Sequence, residues 1–147
     1  MQPRLDYFAA APGVMQAMLA LEKAVATSGL EKSLIELVKT RASQINGCAF
    51  CIDMHTRDAI RDGETTARLF LLDAWREAPL YSPREQAALA WTEALTRVAD
   101  THAPDEDWAS VKAHFSEEEL VKLTLLIATI NGWNRLAIGF RSAPTGA

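Results

Sequence analysis

Cys48 and Cys51 are the chain's two cysteines, separated by two residues. A bridge closing so small a loop removes little entropy from the unfolded chain, so the use of such a pair is chemical rather than structural. His55 follows four residues after Cys51. At about 100° per residue, the three side chains fall within roughly 60° of one another around a helix and share one face. The thiolate is the reactive form of cysteine, and the free amides at a helix N-terminus favour its negative charge. A histidine one turn along can accept or return a proton near neutral pH. The chemistry that fits these residues is thiol redox chemistry. The competing readings are a metal site and two small buried hydrophobes beside an interior histidine. Zinc asks for four ligands and this face supplies three, with His102 and His114 remote in sequence.

The elements that must hold this face are helical, because apolar residues recur at helical spacing and alternating β-branched runs are missing. Val14, Met15, Met18, Leu21 and Val25 follow Pro12-Gly13 and mark a first helix, which stops before Gly29. Leu34, Ile35, Val38, Ala42 and Ile45 mark a second, ending at Asn46-Gly47 just before Cys48. A third runs from about Cys48 to Asp62, and a fourth from Glu64 to about Trp75. Ser82-Pro83-Arg84-Glu85 is a strong start signal: a Ser cap, Pro at the first helical position and Glu three residues after the cap. The helix it opens is expected to reach about Asp100. Pro104-Asp105 begins a shorter one, and Ser116 with Glu119 forms a second capping box ahead of Leu120 to Ile138. That last helix is apolar nearly all round, which places it in the core or between subunits. The tail from Ser142 to Ala147 is expected to be loose. The sum is an all-α fold of about seven helices, in one domain spanning 1–147, with the cysteine pair opening one of the helices.

The stretch from Glu36 to His55, ELVKTRASQINGCAFCIDMH, resembles the signature of the AhpD-like alkylhydroperoxidases within the carboxymuconolactone decarboxylase superfamily. The pattern is a glutamate, eleven residues, C-x-x-C, three residues and a histidine, far more specific than C-x-x-C alone. Asn131-Gly132-Trp133-Asn134-Arg135 extends the resemblance, which covers nearly the whole chain. It implies that Cys51 is the peroxide-attacking thiolate that becomes a sulfenic acid, and that Cys48 donates a proton and then closes the disulfide. It also implies that His55 and Glu36 carry protons. A dithiol reductant (a lipoyl domain, a thioredoxin-like protein or a small thiol) would reset the pair. It further implies a homo-oligomer, a trimer or hexamer, with no bound cofactor and no metal. Members best known as alkylhydroperoxidases can carry a histidine directly before the second cysteine, where this chain has Phe50. Phe50 therefore keeps open a disulfide oxidoreductase or electron carrier serving another peroxidase. A zinc-binding or redox-sensing module is the rival of another class. Decarboxylation gives the cysteine pair no task.

Glu36 sits awkwardly in its own helix. It points about 160° from the centre of the stripe formed by Leu34, Val38, Ala42 and Ile45, so amphipathicity alone leaves it in solvent. Trp75, Trp91, Trp108 and Trp133 read as core or interface residues. Arg135 reads as a structural guanidinium that needs a partner, and Asp53 lies outside the cysteine face.

Composition agrees with an ordinary globular protein. The 147 residues are 49% hydrophobic and 23% charged, enough to bury a core without staples. A net charge of -4 lacks the basic footprint that a phosphate backbone requires, so nucleic acid is not an expected partner. The basic residues alternate with acidic ones, and no membrane association is expected. Asp6, the Pro12-Gly13 break and Glu22-Lys23 spoil the resemblance of the N-terminus to a secretion signal. A cytoplasmic protein is expected.

Overall fold

A computed structural model describes residues 2–144. Its helices are α1 (Tyr7–Ala10), α2 (Pro12–Ala26), α3 (Lys32–Asn46), α4 (Ala49–Arg61), α5 (Thr66–Phe70), α6 (Pro83–Thr96), α7 (Val98–Thr101), α8 (Asp105–His114) and α9 (Glu117–Phe140). One 3-10 turn, Leu72–Ala74, follows α5, and no strand occurs among the described residues. The seven expected helices are all present. The additional α1 and α7 are four residues each, too short to register as a periodic pattern.

Both capping boxes form. Ser82 accepts from the Glu85 amide while the Glu85 carboxylate accepts from the Ser82 amide, and Ser116 and Glu119 repeat the arrangement. The fourth expected helix is broken: α5 ends at Phe70 and the chain tightens into the 3-10 turn before Trp75. The helix from Ser82 is shorter than expected, ending at Thr96. Thr101 Oγ1 then donates to the Ala94 carbonyl at 2.7 Å, a side-chain bond that satisfies one of the carbonyls α6 leaves free. Of the tail, Ser142 returns its backbone N–H to the Ala137 carbonyl at 2.8 Å and closes α9, while residues 145–147 lie outside the described residues.

α3 is the central element, packed against α4, α6 and α9. Leu34, Ile35 and Val38 join the cluster that α9 and α6 complete with Leu123, Leu126, Ile127, Ala88 and Trp91. Leu37 turns to a second cluster with Leu72, Trp75, Tyr81 and Leu89. The expectation for α9 holds on one side only. Leu123, Leu126, Ile127 and Ile130 are buried, whereas Val121, Leu125 and Ile138 are exposed. α3 goes deeper despite its polar sequence because its charges find partners: Lys39 pairs with Glu22 of α2 and Arg41 with Glu93 of α6.

The turn that delivers the cysteines is fixed from both sides. Gly47 adopts φ 69°, a left-handed conformation that costs glycine nothing. Its N–H reaches the Gln44 carbonyl, and the Cys48 N–H reaches the Ser43 carbonyl at 3.0 Å, the paired bonds of a Schellman ending. Across the turn, Asn46 Nδ2 donates to Asn131 and Asn134 of α9, 2.9 Å each, and Asn134 donates to Ser43 at 3.0 Å. Part of the Asn131–Arg135 segment thus clamps the end of α3 against α9. Close approach continues where α9 meets α2, since a Cβ on Gly132 would sit 3.1 Å from Met18.

Candidate active site

Cys48 is the N-cap of α4, and its sulfur accepts the Cys51 amide at 3.4 Å. The two cysteines are joined as a disulfide, with Cα atoms 5.4 Å apart. Both are buried, packed with Ala137 and Phe50. They differ in what they face. Cys51 walls a cavity of about 420 Å³, and Cys48 is not among its lining residues. That volume is in the range of small-molecule sites.

His55 lies one turn along α4 from Cys51 and walls the same cavity. Its Nδ1 is 3.0 Å from Glu36 Oε2. Amphipathicity left Glu36 in solvent. Instead α4 folds back across α3 through the Gly47 turn and covers that face, leaving the Glu36 side chain 12% exposed. The cavity therefore brings together Glu36, Cys51 and His55, with Cys48 bonded behind Cys51.

Several lining residues carried no signal at the level of sequence. Asp58, one turn beyond His55, places a carboxylate oxygen near the Glu36–His55 pair. The ligand atoms of these three residues all lie within 4.8 Å of one another, so among the described residues this trio is a set that could hold a cation. Buried Lys39 pairs with partly exposed Glu22 on the wall, and Glu22 Oε2 accepts from Trp133 Nε1 at 2.9 Å. Trp133 thus belongs to the cavity, while Trp75 and Trp91 are core residues and Trp108 is partly exposed. Only the resemblance of the Asn131–Arg135 segment hinted at Trp133. Arg135 is exposed and caps the Asn131 carbonyl at 2.9 Å, and Asp53 pairs with Arg57 away from the site. A larger depression of about 550 Å³, between α8 and α9, is lined by Trp108, Leu120, Val121 and Leu125 and holds no cysteine or histidine.

The carboxymuconolactone decarboxylase family matches over residues 12–94, more than half of the chain and inclusive of the whole Glu36-to-His55 pattern. The chain belongs to this family. Among its relatives, YdfG of Bacillus subtilis (strain 168) is 46% identical over 138 residues, 94% of each chain. YnjA of Escherichia coli (strain K12) is 31% identical over 116 residues, 79% of this chain and 61% of that one. A crystal structure of an Agrobacterium tumefaciens protein of unknown function, named as a candidate AhpD antioxidant defence protein, superposes with a TM-score of 0.97. Its identity is 46%, over 99% of this chain and 100% of that one. The debrominase Bmp8 shares the fold at 21% identity, with a TM-score of 0.85 over 95% of this chain and 75% of its own. The protein is therefore an AhpD-like member of the family, of an enzyme type. No helix among the described residues is long and apolar enough to cross a membrane.

Proposed function

We propose that the protein reduces organic hydroperoxides through the Cys48/Cys51 pair, in a cytoplasmic setting and as a homo-oligomer. The observation that carries this reading is that Cys51 and His55 wall one cavity, with His55 tethered through Nδ1 to Glu36. In the reduced protein, the Cys51 thiolate attacks the outer peroxide oxygen. The O–O bond breaks, Cys51 becomes a sulfenic acid, and the alkoxide leaves as an alcohol after taking a proton from the Glu36–His55 pair or the Cys48 thiol. The Cys48 thiolate then attacks the sulfenic sulfur and expels hydroxide, which leaves as water. A Cys48–Cys51 disulfide is the product of that step, and the two residues are close enough to form it. An external dithiol returns two electrons and two protons.

Burial supports the order. A sulfenic acid held beside a second thiol is trapped before further oxidation, and the burial of Cys51 and His55 strengthens the hydrogen bonds of the proton carriers. Cys48, as N-cap, offers a sulfur already solvated by an amide, which suits a leaving thiolate when the disulfide is reopened. Self-association as a trimer or hexamer would cover exposed Trp108, Val121 and Leu125, and light scattering counts the subunits.

Phe50 favours a second reading, an oxidoreductase that exchanges disulfides with a partner, because an aromatic ring stands where some peroxidases carry a proton donor. Single-turnover reaction of the reduced protein with an organic hydroperoxide decides between them. The expected result is loss of two thiols per peroxide consumed, abolished in Cys51→Ser and slowed about 100-fold in His55→Ala. Unchanged thiols would overturn direct peroxide reduction and leave the exchange reaction.

A further inference from the structure

We propose that the N-terminal helix α1 is the specificity element of this cavity, and that Tyr7 and Phe8 act with Trp133 to select a hydroperoxide whose body is neutral and aromatic. The inference rests on the peroxidase reading and concerns which molecule the site takes.

α1 contributes two aromatic side chains to the cavity and buries no residue of its own. Its anchorage is local. Arg4 donates its backbone N–H to the Phe140 carbonyl at 2.9 Å and a guanidinium N–H to the Gly139 carbonyl at 3.0 Å. Tyr7 stacks on Phe140 with ring centroids 5.1 Å apart. These contacts tie α1 to the far end of α9, so the helix adds little to the core. Its two rings are spent on the cavity instead.

Phe8 lies within 18° of parallel to Trp133, with centroids 6.4 Å apart, and the two make a continuous aromatic wall. Trp133 is held in that pose by Glu22, which is itself held by Lys39. Lys39 is 3% exposed. A buried lysine and a glutamate committed to orienting an indole make sense if the indole face matters. Phe50 also lines the cavity, so a flat ring entering it has several aromatic side chains to meet, and ring–ring contact contributes beyond area alone.

Charge narrows the class further. Glu22, Glu36 and Asp58 line the cavity against one lysine, and that lysine is already neutralised by Glu22. The carboxylate of a fatty-acid hydroperoxide would enter a region where carboxylates outnumber cations and where, among the described lining residues, Lys39 is paired with Glu22 and His55 with Glu36. A neutral aromatic hydroperoxide carries no such penalty, and a hydrogen peroxide molecule gains nothing from the walls.

Three hydroperoxides separate these cases: cumene hydroperoxide, linoleic acid hydroperoxide and hydrogen peroxide, each with the reduced full-length protein. Cumene hydroperoxide is expected to show the highest kcat/KM. Phe8→Ala is expected to raise its KM about 10-fold and to lower the ratio of its kcat/KM to that of hydrogen peroxide by about the same factor. Phe8→Tyr is expected to restore the cumene value. Phe8 is 42% exposed, so its truncation leaves the fold intact, which circular dichroism checks. A redox-inert probe, 2-phenylpropan-2-ol, is titrated in parallel by calorimetry and is expected to bind the wild type and to weaken in Phe8→Ala by the same factor. Equal kcat/KM for cumene and linoleic acid hydroperoxides would overturn the proposal. So would a Phe8→Ala effect shared by hydrogen peroxide, or failure of the alcohol to bind while thiols are still oxidised. Binding of the alcohol with the expected Phe8 dependence, but with thiols untouched by every peroxide, would overturn the peroxidase reading and support the aromatic site.

Discussion

α3 carries buried charge on two faces, and the two faces do opposite things. On one, Arg41 reaches Glu93 of α6 at 2.9 Å, and Glu93 also accepts from Trp75 Nε1 at 2.9 Å and from Arg76 at 2.5 Å. On the other, about 140° around the helix, Glu36 meets His55 and opens on the cavity beside Cys51. Both carboxylates are largely buried and both have partners. Glu93 is engaged by three donors, Arg41, Trp75 and Arg76, so it holds structure. Glu36 is tied to a titratable imidazole and borders space that a substrate can enter. Burial and pairing alone therefore do not mark a site; the free volume beside the pair does.

Breaking the saturated knot gives the largest expected effect on folding. Glu93→Gln removes the buried one of the two carboxylates paired with the Arg41 guanidinium, leaving it only the exposed Asp73, and is expected to cost about 3 kcal/mol. In thermal unfolding that is a drop of roughly 10 °C. Thiol oxidation per folded molecule should stay within about twofold of wild type. The same variant carries a pH signature. Burial raises the Glu93 carboxyl, but hydrogen bonds from Trp75, Arg76 and Arg41 outweigh it and hold the group below the ordinary carboxylate range. Between the lowered folded value and the ordinary unfolded one, the unfolded chain binds the extra proton. Glu93 thus contributes stability above the unfolded value, and that stability is lost as pH falls through the folded one. Denaturation curves from neutral pH down through the carboxylate range should converge for wild type and Glu93→Gln at the acid end. Parallel curves would mean that the knot contributes no such linkage.

Glu36→Gln tests the other face. It keeps the shape and a hydrogen bond to His55 but removes the carboxylate, and single-turnover peroxide reduction is expected to fall about 100-fold. The melting temperature should move by less than about 3 °C, since the lost term is one hydrogen bond in exchange for another. A Glu36→Gln variant that is unstable but fast would reverse the comparison and make Glu36 a second structural knot.

The contrast also explains what was legible from sequence. Ser82-Pro83-Arg84-Glu85 and Ser116 with Glu119 act over one helical turn, so their capping boxes could be read directly. The shared face of Cys48, Cys51 and His55 needed nothing beyond helical geometry and a left-handed turn at Gly47. Glu36 was different. Its own helix pointed it to solvent, and only the spacing of the family pattern placed it with His55; the physical reason is the tertiary cover that α4 supplies. The Lys39–Glu22–Trp133 chain was silent because it joins α2, α3 and α9, with Glu22 and Trp133 separated by 111 positions. Tyr7 and Phe8 were silent for another reason, as a four-residue helix has no periodicity to read.

The smallest expected effect concerns Phe50, the position where the open face departs from the best-known peroxidases. Phe50 packs against the cluster of Cys48, Cys51 and Ala137, so it bears on how water as well as protons reach the disulfide. Phe50→His exchanges an apolar wall for a group that can donate a proton to the departing alkoxide. If Glu36 and His55 already supply that proton, a second donor is redundant, and the rate at neutral pH should rise by no more than about threefold. The change should then show in the pH profile, as faster turnover below the histidine's own titration, where the added imidazole is charged. A rise of about 100-fold would mean that proton delivery limits the wild-type protein and that Phe50 blocks it. The open face of α3 would then be incomplete as a peroxidase, and disulfide exchange with a partner would become the better account of the same geometry. Stopped-flow thiol oxidation of Phe50→His across the pH range separates the two, and the Glu93 knot should leave the melting temperature unmoved in either case.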